Sequence, residues 1–377
     1  MSYIDTMEKL CEAGAHPAKT IAATQKETGK DLVGCFPIHT PEEIVYAAGC
    51  VPIGMWGGTT EIKLADKYLQ SFCCSIMRTN IEFALRGTYN MLKAVVISTF
   101  CDTLKCVAED MKIAAPQIPT IILAYPQHRR LEAGMQFMIS EFQRVRHELE
   151  QVLGKIITEE QIEEAFEVYE DYRETMRAFT EAAAAHPEIV TAKKRHLLIK
   201  AGMFMDKAVY TKQMKEIVKG LNGEKESTFD GSKIIVTGLL SEPVDVLDIF
   251  DENNIAIVGD DLALGSRIWR TPARKDEPDV FRRMAYRVAD QEGDTFLYDP
   301  DKKKGQMLID MKNQKGAQAI VVMMMKFCDP EEYDYPIMKK EIEDAGIPML
   351  YMEIDQQVTS FEQLRTRIQS FAEMLSV

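Results

Sequence analysis

Short apolar runs alternate with amphipathic stretches in the first third of the chain. The runs are DLVGCF at 31–36, CVPIGMWG at 50–57, AVVISTF at 94–100 and TIILAY at 120–125. Each run is rich in β-branched and aromatic residues and has the length of a buried strand. The stretches between the runs have helical spacing. This alternation predicts a parallel sheet covered by helices on both faces.

The segment TPEEIVYAAG at 40–49 predicts the helix that follows the first strand. Thr40 suits the N-cap, Pro41 the first helical position, and Glu42 and Glu43 the positive end of the helix dipole. His39 and Glu43 flank this strand-to-helix turn and are candidates for catalytic side chains. The cap-and-dipole role is by itself a sufficient explanation of Glu43.

The middle of the chain has a different pattern, which is helical from about residue 130 to 222 and rich in Glu, Lys, Arg and Ala. The segment TEEQ at 158–161 is a capping box, in which Thr158 accepts from a backbone amide and Gln161 reaches back. Pro187 breaks the helical pattern. The polar, glycine-bearing segment at 220–233 predicts a linker.

A second alternation follows the linker. Its apolar runs are KIIVTGLL at 233–240, IAIVGDD at 255–261, AQAIVVMMM at 317–325 and PMLYMEID at 348–355. We therefore expect an α/β domain at 1–130, a helical segment and linker at 131–230, and a second α/β domain at 231–377. The methionines at 323–325 are expected to fill the core. The adjacent acids in GDDLALGSR, 259–267, indicate either a surface turn or a ligand contact.

Composition and charge narrow the classes of function. The 377 residues are 46% hydrophobic and carry a formal net charge of −14, with a pI of about 5.1. This acidic balance argues against nucleic acid as a partner. No apolar run reaches the roughly 20 residues that span a bilayer. The N-terminal segment lacks the pattern of a signal peptide, so we expect a cytoplasmic protein without a membrane partner.

Common catalytic motifs are missing from the sequence. It contains no G-x-x-x-x-G-K-[ST] loop for ATP phosphates and no dinucleotide fingerprint after a strand. It also lacks the G-x-S-x-G and H-E-x-x-H signatures of two hydrolase classes.

The chain has eight cysteines, at positions 11, 35, 50, 73, 74, 101, 106 and 328. A reducing cytoplasm disfavours structural disulfides, and a free cysteine is ordinarily a small buried side chain. Two of the eight occupy equivalent places. Cys101 and Cys328 each follow an apolar strand in the sequence Phe-Cys-Asp and precede a helix. This shared unit hints at an internal structural repeat.

The position of these two cysteines suggests a ligand. The carboxyl ends of parallel strands are where open α/β sheets bind ligands. If the two domains face one another, Cys101 and Cys328 point into the cleft between them, and Cys74 or Cys73 supplies a third thiol. Thiolates favour zinc or iron–sulfur clusters. The paired C-x2-C knuckles of a zinc ribbon are absent.

Several segments together resemble one known family, that of the 2-hydroxyacyl-CoA dehydratases. They are VGCFPIHTPEEIVYAAGCVPIGMWG (33–57), CSIMRT (74–79), FCDTLK (100–105), YPQHRRLEAG (125–134), FCDPEEYDYP (327–336) and GIPMLYMEIDQQ (346–357). The likeness is to the smaller, beta subunit and covers nearly the whole chain in order. The benzoyl-CoA reductase subunits are more distantly similar.

The resemblance implies a specific fold and cofactor. The expected fold class is α/β, with two flavodoxin-like parallel-sheet domains, a helical insert, and a [4Fe–4S] cluster in the interdomain cleft. The implied cluster ligands are Cys74, which lies four positions before Arg78, then Cys101, and Cys328 at the head of Cys-Asp-Pro. Cys73 is a possible substitute for Cys74, although the register favours Cys74.

The resemblance also implies partners and a reaction. The partners are a larger alpha subunit that binds the acyl-CoA substrate and a separate ATP-dependent iron–sulfur activator, which is consistent with the missing P-loop. The reaction is the oxygen-sensitive dehydration of an (R)-2-hydroxyacyl-CoA to an enoyl-CoA. This chain would carry a cluster as an electron relay or support to the alpha subunit.

The implied chemistry needs single electrons. A thioester does not acidify the proton on C3, and the neighbouring carbonyl disfavours a cation at C2. One electron added to the carbonyl gives a ketyl radical anion that expels the 2-hydroxyl group. The resulting enoxy radical has an acidic C3 proton, and loss of this proton and of the electron gives the enoyl-CoA. Iron–sulfur clusters handle such electrons.

Two alternatives remain open from the sequence. One is a subunit of an enzyme that resembles benzoyl-CoA reductase and reduces an aromatic acyl-CoA. The other is a non-enzymatic α/β protein with a zinc site, a sensory site or no metal. The acyl chain of the substrate is equally open.

Overall fold

A computed structural model describes residues 2–376, which contain two four-stranded sheets. The strands of the N-terminal sheet are β1 (Asp31–Cys35), β2 (Cys50–Gly54), β3 (Leu92–Ser98) and β4 (Thr120–Leu123). All pairs are parallel, and the spatial order is β2-β1-β3-β4. Three helices connect them: α3 (Glu42–Ala47), α4 (Ser75–Leu85) and α5 (Asp102–Ala114). The predicted parallel sheet is confirmed.

The C-terminal sheet repeats this topology. Its strands are β5 (Ser232–Gly238), β6 (Ile255–Leu262), β7 (Ala319–Met325) and β8 (Met349–Ile354), all parallel and in the order β6-β5-β7-β8. Its helices are α10 (Val244–Glu252), α11 (Val280–Ala289), α12 (Lys304–Gln314), α13 (Asp329–Asp344) and α14 (Glu362–Leu375). Both sheets have the strand order of a flavodoxin-like fold without its fifth strand.

Four helices come between the two sheets along the chain. They are α6 (Glu132–Leu153), α7 (Glu159–Ala185), α8 (Ala192–Ala201) and α9 (Lys207–Leu221). Two N-terminal helices, α1 (Tyr3–Ala15) and α2 (Pro17–Thr28), come before β1, and α1 packs on α8 and α9. The long helix α7 contacts both α3 and β6. Domain boundaries near residues 130 and 230 stay a prediction.

The two sheets share one continuous core. Its buried side chains include Val95 and Ile97 of β3, Val321 and Met323 of β7, and Tyr172 of α7. The three methionines of β7 are all buried, so the prediction that they fill the core is confirmed. A shared core holds the carboxyl ends of the two sheets in one place, which positions the site described below.

Several local predictions can be compared with the backbone. The capping box is present: the Thr158 side chain accepts from the backbone amide of Gln161, and the Gln161 side chain accepts from the backbone amide of Thr158. Helix α7 ends just before Pro187, as the break predicted.

The prediction of Thr40 as an N-cap was wrong. Pro41 occupies the N-cap of α3, and no side chain caps this helix. The Thr40 hydroxyl instead donates to the Phe36 carbonyl, because the chain turns back on itself directly after β1.

The surface-turn interpretation of Asp260 and Asp261 was also wrong. Strand β6 continues through both residues, and both are buried. Arg195 pairs with Asp260, and Arg267 pairs with Asp261.

The helices within residues 2–376 include no candidate for a membrane span. None of them combines the length and the apolar character needed to cross a bilayer.

Candidate functional site

The carboxyl ends of four strands from the two sheets meet at one cavity, which we call the cysteine cavity. It measures about 500 Å³, its opening to solvent included. Ile38 follows β1 and Leu239 follows β5, while Cys101 follows β3 and Cys328 follows β7. Strand β1 lies next to β3, and β5 lies next to β7. In each pair the chain leaves the two strands towards opposite edges of the sheet. The cavity therefore lies at two topological switch points, the usual ligand sites of open α/β sheets.

Cys101 and Cys328 occupy equivalent positions in the two sheets. Cys101 is the N-cap of α5, where its sulfur accepts from the Leu104 amide over 3.4 Å. Cys328 is the N-cap of α13 and is buried. The residue before it, Phe327, has a φ of 64°, a left-handed conformation that turns the chain out of β7. The repeat suggested by the two Phe-Cys-Asp segments thus has a counterpart in three dimensions.

Cys74 brings a third thiol to the same cavity. It is the buried N-cap of α4 and lines the cysteine cavity together with Cys101 and Cys328. Its neighbour Cys73 is only half-buried and lies outside the lining formed by the described residues. The structure therefore brings together the three cysteines expected from the resemblance, while their role as ligands stays a prediction.

The cavity strongly disfavours free thiolates. Burial raises the pKa of the Cys74 thiol to about 12, and nearby Cys101 and Cys73 add to the effect. Burial also raises the pKa of the Cys328 thiol, and the negative charge of Glu331 and the neighbouring Cys74 raise it further. Burial raises the pKa of Cys101 in the same way, although backbone amides oppose it. Without a bound cation these thiols stay protonated, and a metal would be needed to ionise them.

Three cysteine sulfurs around one cavity form a donor set of the kind that an iron–sulfur cluster uses, and the cluster itself stays a prediction. Among residues 2–376, no group of three His, Cys, Asp or Glu side chains is placed to hold one metal ion. A single ion needs its ligands around one point, whereas each cysteine of a [4Fe–4S] cluster binds its own iron. Three cysteines at helix N-termini, spread around one cavity, are consistent with the second arrangement. The positive ends of the helices would also favour bound thiolates.

A second cavity, the polar cavity, adjoins the first. It measures about 850 Å³, its opening included, and shares Pro37, Ile38, Trp56 and Ala263 with the cysteine cavity. Both catalytic candidates of the sequence, His39 and Glu43, line it, together with the side chains of Arg173 and Arg287.

Glu43 forms a buried ion pair, and half-buried His39 makes a hydrogen bond to a buried carboxyl group. His39 Nε2 lies 2.9 Å from Asp294 Oδ2. The Glu43 carboxylate pairs with Arg173 and lies 3.6 Å from Arg287 Nη1. Burial alone would raise the pKa of Glu43, but the two guanidinium groups lower it below its ordinary value. These contacts explain both residues structurally, and a catalytic role for either stays a prediction.

Sequence reasoning missed the contacts that join the two halves of the molecule. Buried Gln356, after β8, donates from its side chain to the Trp56 carbonyl and to Glu242. Its backbone amide donates to the hydroxyl of Ser75, the residue after Cys74. The available signal is the pair of glutamines, Gln356 and Gln357, that ends the segment GIPMLYMEIDQQ.

Comparison with known proteins places the chain among dehydratase subunits. A family model described as 2-hydroxyglutaryl-CoA dehydratase, D-component, matches residues 37–375. The lactoyl-CoA dehydratase subunit beta of Anaerotignum propionicum is 43% identical over 377 residues, covering 100% of both chains. The (R)-phenyllactyl-CoA dehydratase beta subunit of Clostridium sporogenes is 41% identical over 362 residues, covering 96% of both.

A more distant relative confirms the wider relationship expected from the sequence. One subunit of the benzoyl-CoA reductase of Thauera aromatica is 21% identical over 386 residues, covering 100% of both chains. The identity to the two dehydratase subunits is about twice as high. The chain belongs to the 2-hydroxyglutaryl-CoA dehydratase D-component family and is, like its dehydratase relatives, a subunit of a hydro-lyase.

Proposed function

We propose that this chain is the beta subunit of an oxygen-sensitive, cytoplasmic (R)-2-hydroxyacyl-CoA dehydratase. Its partners are a larger alpha subunit, which binds the acyl-CoA substrate, and an ATP-dependent iron–sulfur activator. The complex removes water from the substrate through a ketyl radical of the thioester and yields an enoyl-CoA. One observation carries the proposal: Cys74, Cys101 and Cys328 come from distant parts of the sequence and line one cavity at the switch points of both sheets.

The proposed cofactor is a [4Fe–4S] cluster held by these three cysteines. When bound, such a cluster supplies one-electron chemistry at low potential. The chain's own contribution is to present three thiols from the N-termini of α4, α5 and α13. The rest of the cavity lining is largely apolar and includes Ile38, Trp56, Leu239 and Phe296, with Thr103 and Asp329 as its polar members.

The role proposed for this subunit is electron relay or support to the alpha subunit. The apolar lining of the cysteine cavity contrasts with the polar cavity beside it, where His39 and Glu43 are bound to Asp294 and Arg173. Chemistry on the substrate needs a free acid or base within hydrogen-bonding reach. An arrangement of thiols in apolar surroundings suits electron transfer better than proton transfer.

The test is anaerobic purification of the chain with its alpha subunit, followed by iron, sulfide and activity measurements. We expect a brown chain with roughly four iron and four sulfide, the content of one cubane cluster. Cys328→Ala should remove this iron and abolish dehydration of 2-hydroxyacyl-CoAs, while Cys106→Ala, at an exposed cysteine, should change neither. A colourless chain, or full activity in Cys328→Ala with an intact alpha subunit, would refute the proposal.

The distant similarity to a benzoyl-CoA reductase subunit supports a second candidate reaction, reduction of an aromatic acyl-CoA. Assays of the same reconstituted complex with lactoyl-, phenyllactyl- and 2-hydroxyglutaryl-CoA against benzoyl-CoA distinguish the two. The much higher identity to dehydratase subunits favours turnover of the hydroxyacyl thioesters.

A further inference from the structure

A buried carboxylate lies one helical turn beyond Cys328. Glu331 belongs to the first turn of α13, the helix that Cys328 caps, and its side chain is buried. One carboxylate oxygen lies 2.8 Å from Arg267 Nη1 and accepts from the Thr295 hydroxyl over 2.9 Å. The other lies 2.8 Å from Lys304 Nζ. Side chains from three separate segments thus hold the beginning of this helix.

Arg267 is the centre of this cluster. Its side chain is fully buried, with Nε and Nη2 each donating to the Asp261 carboxylate over 3.0 Å. Its remaining nitrogen, Nη1, faces Glu331 and lies 3.7 Å from Asp294. One guanidinium group therefore connects the end of β6 with α13 and with the Asp294–His39 pair of the polar cavity. The planar fork of arginine suits such bidentate binding, which lysine cannot reproduce.

The cluster is balanced in charge. Burial alone would raise the pKa of its three carboxyl groups, but the neighbouring cations lower all three below their ordinary values. The carboxylates are Asp261, Asp294 and Glu331, and the cations are Arg267, Arg270 and Lys304. Because charges in a buried site are poorly screened, loss of any one of them leaves a net charge that acts on its surroundings.

We propose that the Arg267–Glu331 pair is a positioning element that fixes the turn carrying Cys328 and sets the reduction potential at the three cysteines. The inference rests on the proposed function, since it concerns the cluster assigned to Cys74, Cys101 and Cys328. Reduction adds one negative charge. The Glu331 carboxylate, one helical turn from Cys328, destabilises the reduced state, and Arg267 partly neutralises that carboxylate. Residues around the ligands are known levers of potential in such sites.

The test is a redox titration, followed by electron paramagnetic resonance, of the full chain reconstituted anaerobically. Arg267→Gln removes a cation and should lower the potential, whereas Glu331→Gln removes an anion and should raise it. We expect at least a tenfold change in the equilibrium constant for each, which is about 59 mV for a one-electron couple. The double variant should return towards the wild type, because the two lost charges cancel.

Arg195→Gln is the matched control. Arg195 is buried like Arg267 and pairs with Asp260, the neighbour of Asp261, but this ion pair does not involve α13. Its loss should destabilise the fold and shift the potential less than Arg267→Gln does, because Asp260 pairs with Arg195 rather than with a residue of α13. If Arg267→Gln does not fold, Glu331→Gln alone carries the test.

The inference is overturned if the two single variants shift the reduction potential in the same direction. It is also overturned if folded variants change the equilibrium constant for reduction by less than twofold. Either result leaves the proposed function intact. A wild-type chain that binds no cluster overturns both.

Discussion

The side-chain amide of Gln356 donates to the carboxylate of Glu242 over 2.8 Å, and also to the backbone carbonyl of Trp56 over 2.9 Å. Its carbonyl oxygen accepts from the Gly58 amide over 3.1 Å. One buried side chain therefore joins the loop after β8 to the loops after β2 and β5. All three of these hydrogen bonds lie in the region where the two sheets meet, near the N-terminus of α4 that bears Cys74.

Gln356→Ala should destabilise the protein by about 2–4 kcal/mol, because each buried polar group left without a partner costs about 1–3 kcal/mol. Urea unfolding gives the free energy of unfolding directly. Gln136→Ala is the control, since Gln136 is exposed and its side chain donates to Glu132 within the same helix, so its loss should cost less than Gln356→Ala. Equal losses in the two variants would contradict the proposed importance of the buried junction.

Gly238→Ala should cost about 3–5 kcal/mol, the sum of backbone strain and overpacking. Gly238 ends β5 with a φ of 147°, and a Cβ atom there would lie 2.2 Å from the Met323 carbonyl oxygen of β7. Thermal unfolding measures the loss. Gly223→Ala is the control, because the nearest atom to its Cβ would be 3.3 Å away. A Gly238→Ala protein as stable as this control would refute the close approach of the strands.

The strands and the paired cysteines could be predicted from sequence, each for its own physical reason. A strand covered on both faces is apolar along its whole length, so it is visible as a run. Equivalent loops in two repeats carry the same residues, so Cys101 and Cys328 could be matched without a structure. The choice between Cys73 and Cys74 depends on where α4 begins, and helix boundaries are poorly defined by local sequence.

The ionic contacts could not be predicted in the same way. Asp260 and Asp261 look like a surface turn because acids are rarely buried unless paired. The partner of Asp260, Arg195, is 65 positions away, in α8. Only the three-dimensional arrangement of α8 against β6 shows that the charge is compensated. Thr40 failed as an N-cap because α3 begins one residue later, with Pro41 at the N-cap, and the Thr40 hydroxyl donates to the Phe36 carbonyl.

Replacing Cys74 should remove iron from the anaerobically purified chain, whereas replacing Cys73 should not. Cys74 lines the cysteine cavity, and Cys73 lies beside it, half-buried. Iron analysis and the visible absorption of Cys74→Ser and Cys73→Ser provide the comparison, with the exposed Cys106→Ser as a second control. Iron loss in Cys73→Ser with retention in Cys74→Ser would reverse the assignment.

Acid should destabilise the wild-type protein partly through Glu43. Its folded pKa is lowered, since Arg173 and Arg287 outweigh the effect of burial. In the unfolded chain the Glu43 side chain has the ordinary glutamate pKa of about 4.3, so below that pH the unfolded chain binds more protons than the folded one. The free energy of unfolding therefore falls as the pH decreases through the lower folded pKa. Above about pH 5 this contribution is fully present.

Glu43→Gln should cost about 1–3 kcal/mol near pH 7, because it removes one of the two carboxylates that hold the buried Arg173 and leaves only Glu170. The variant should also lose less stability than the wild type between pH 5 and pH 3, since its side chain no longer titrates. Urea unfolding at several pH values measures both effects. Glu373→Gln, at an exposed glutamate, should follow the wild-type pH profile. If Glu43→Gln follows that same profile, Glu43 does not contribute to acid sensitivity.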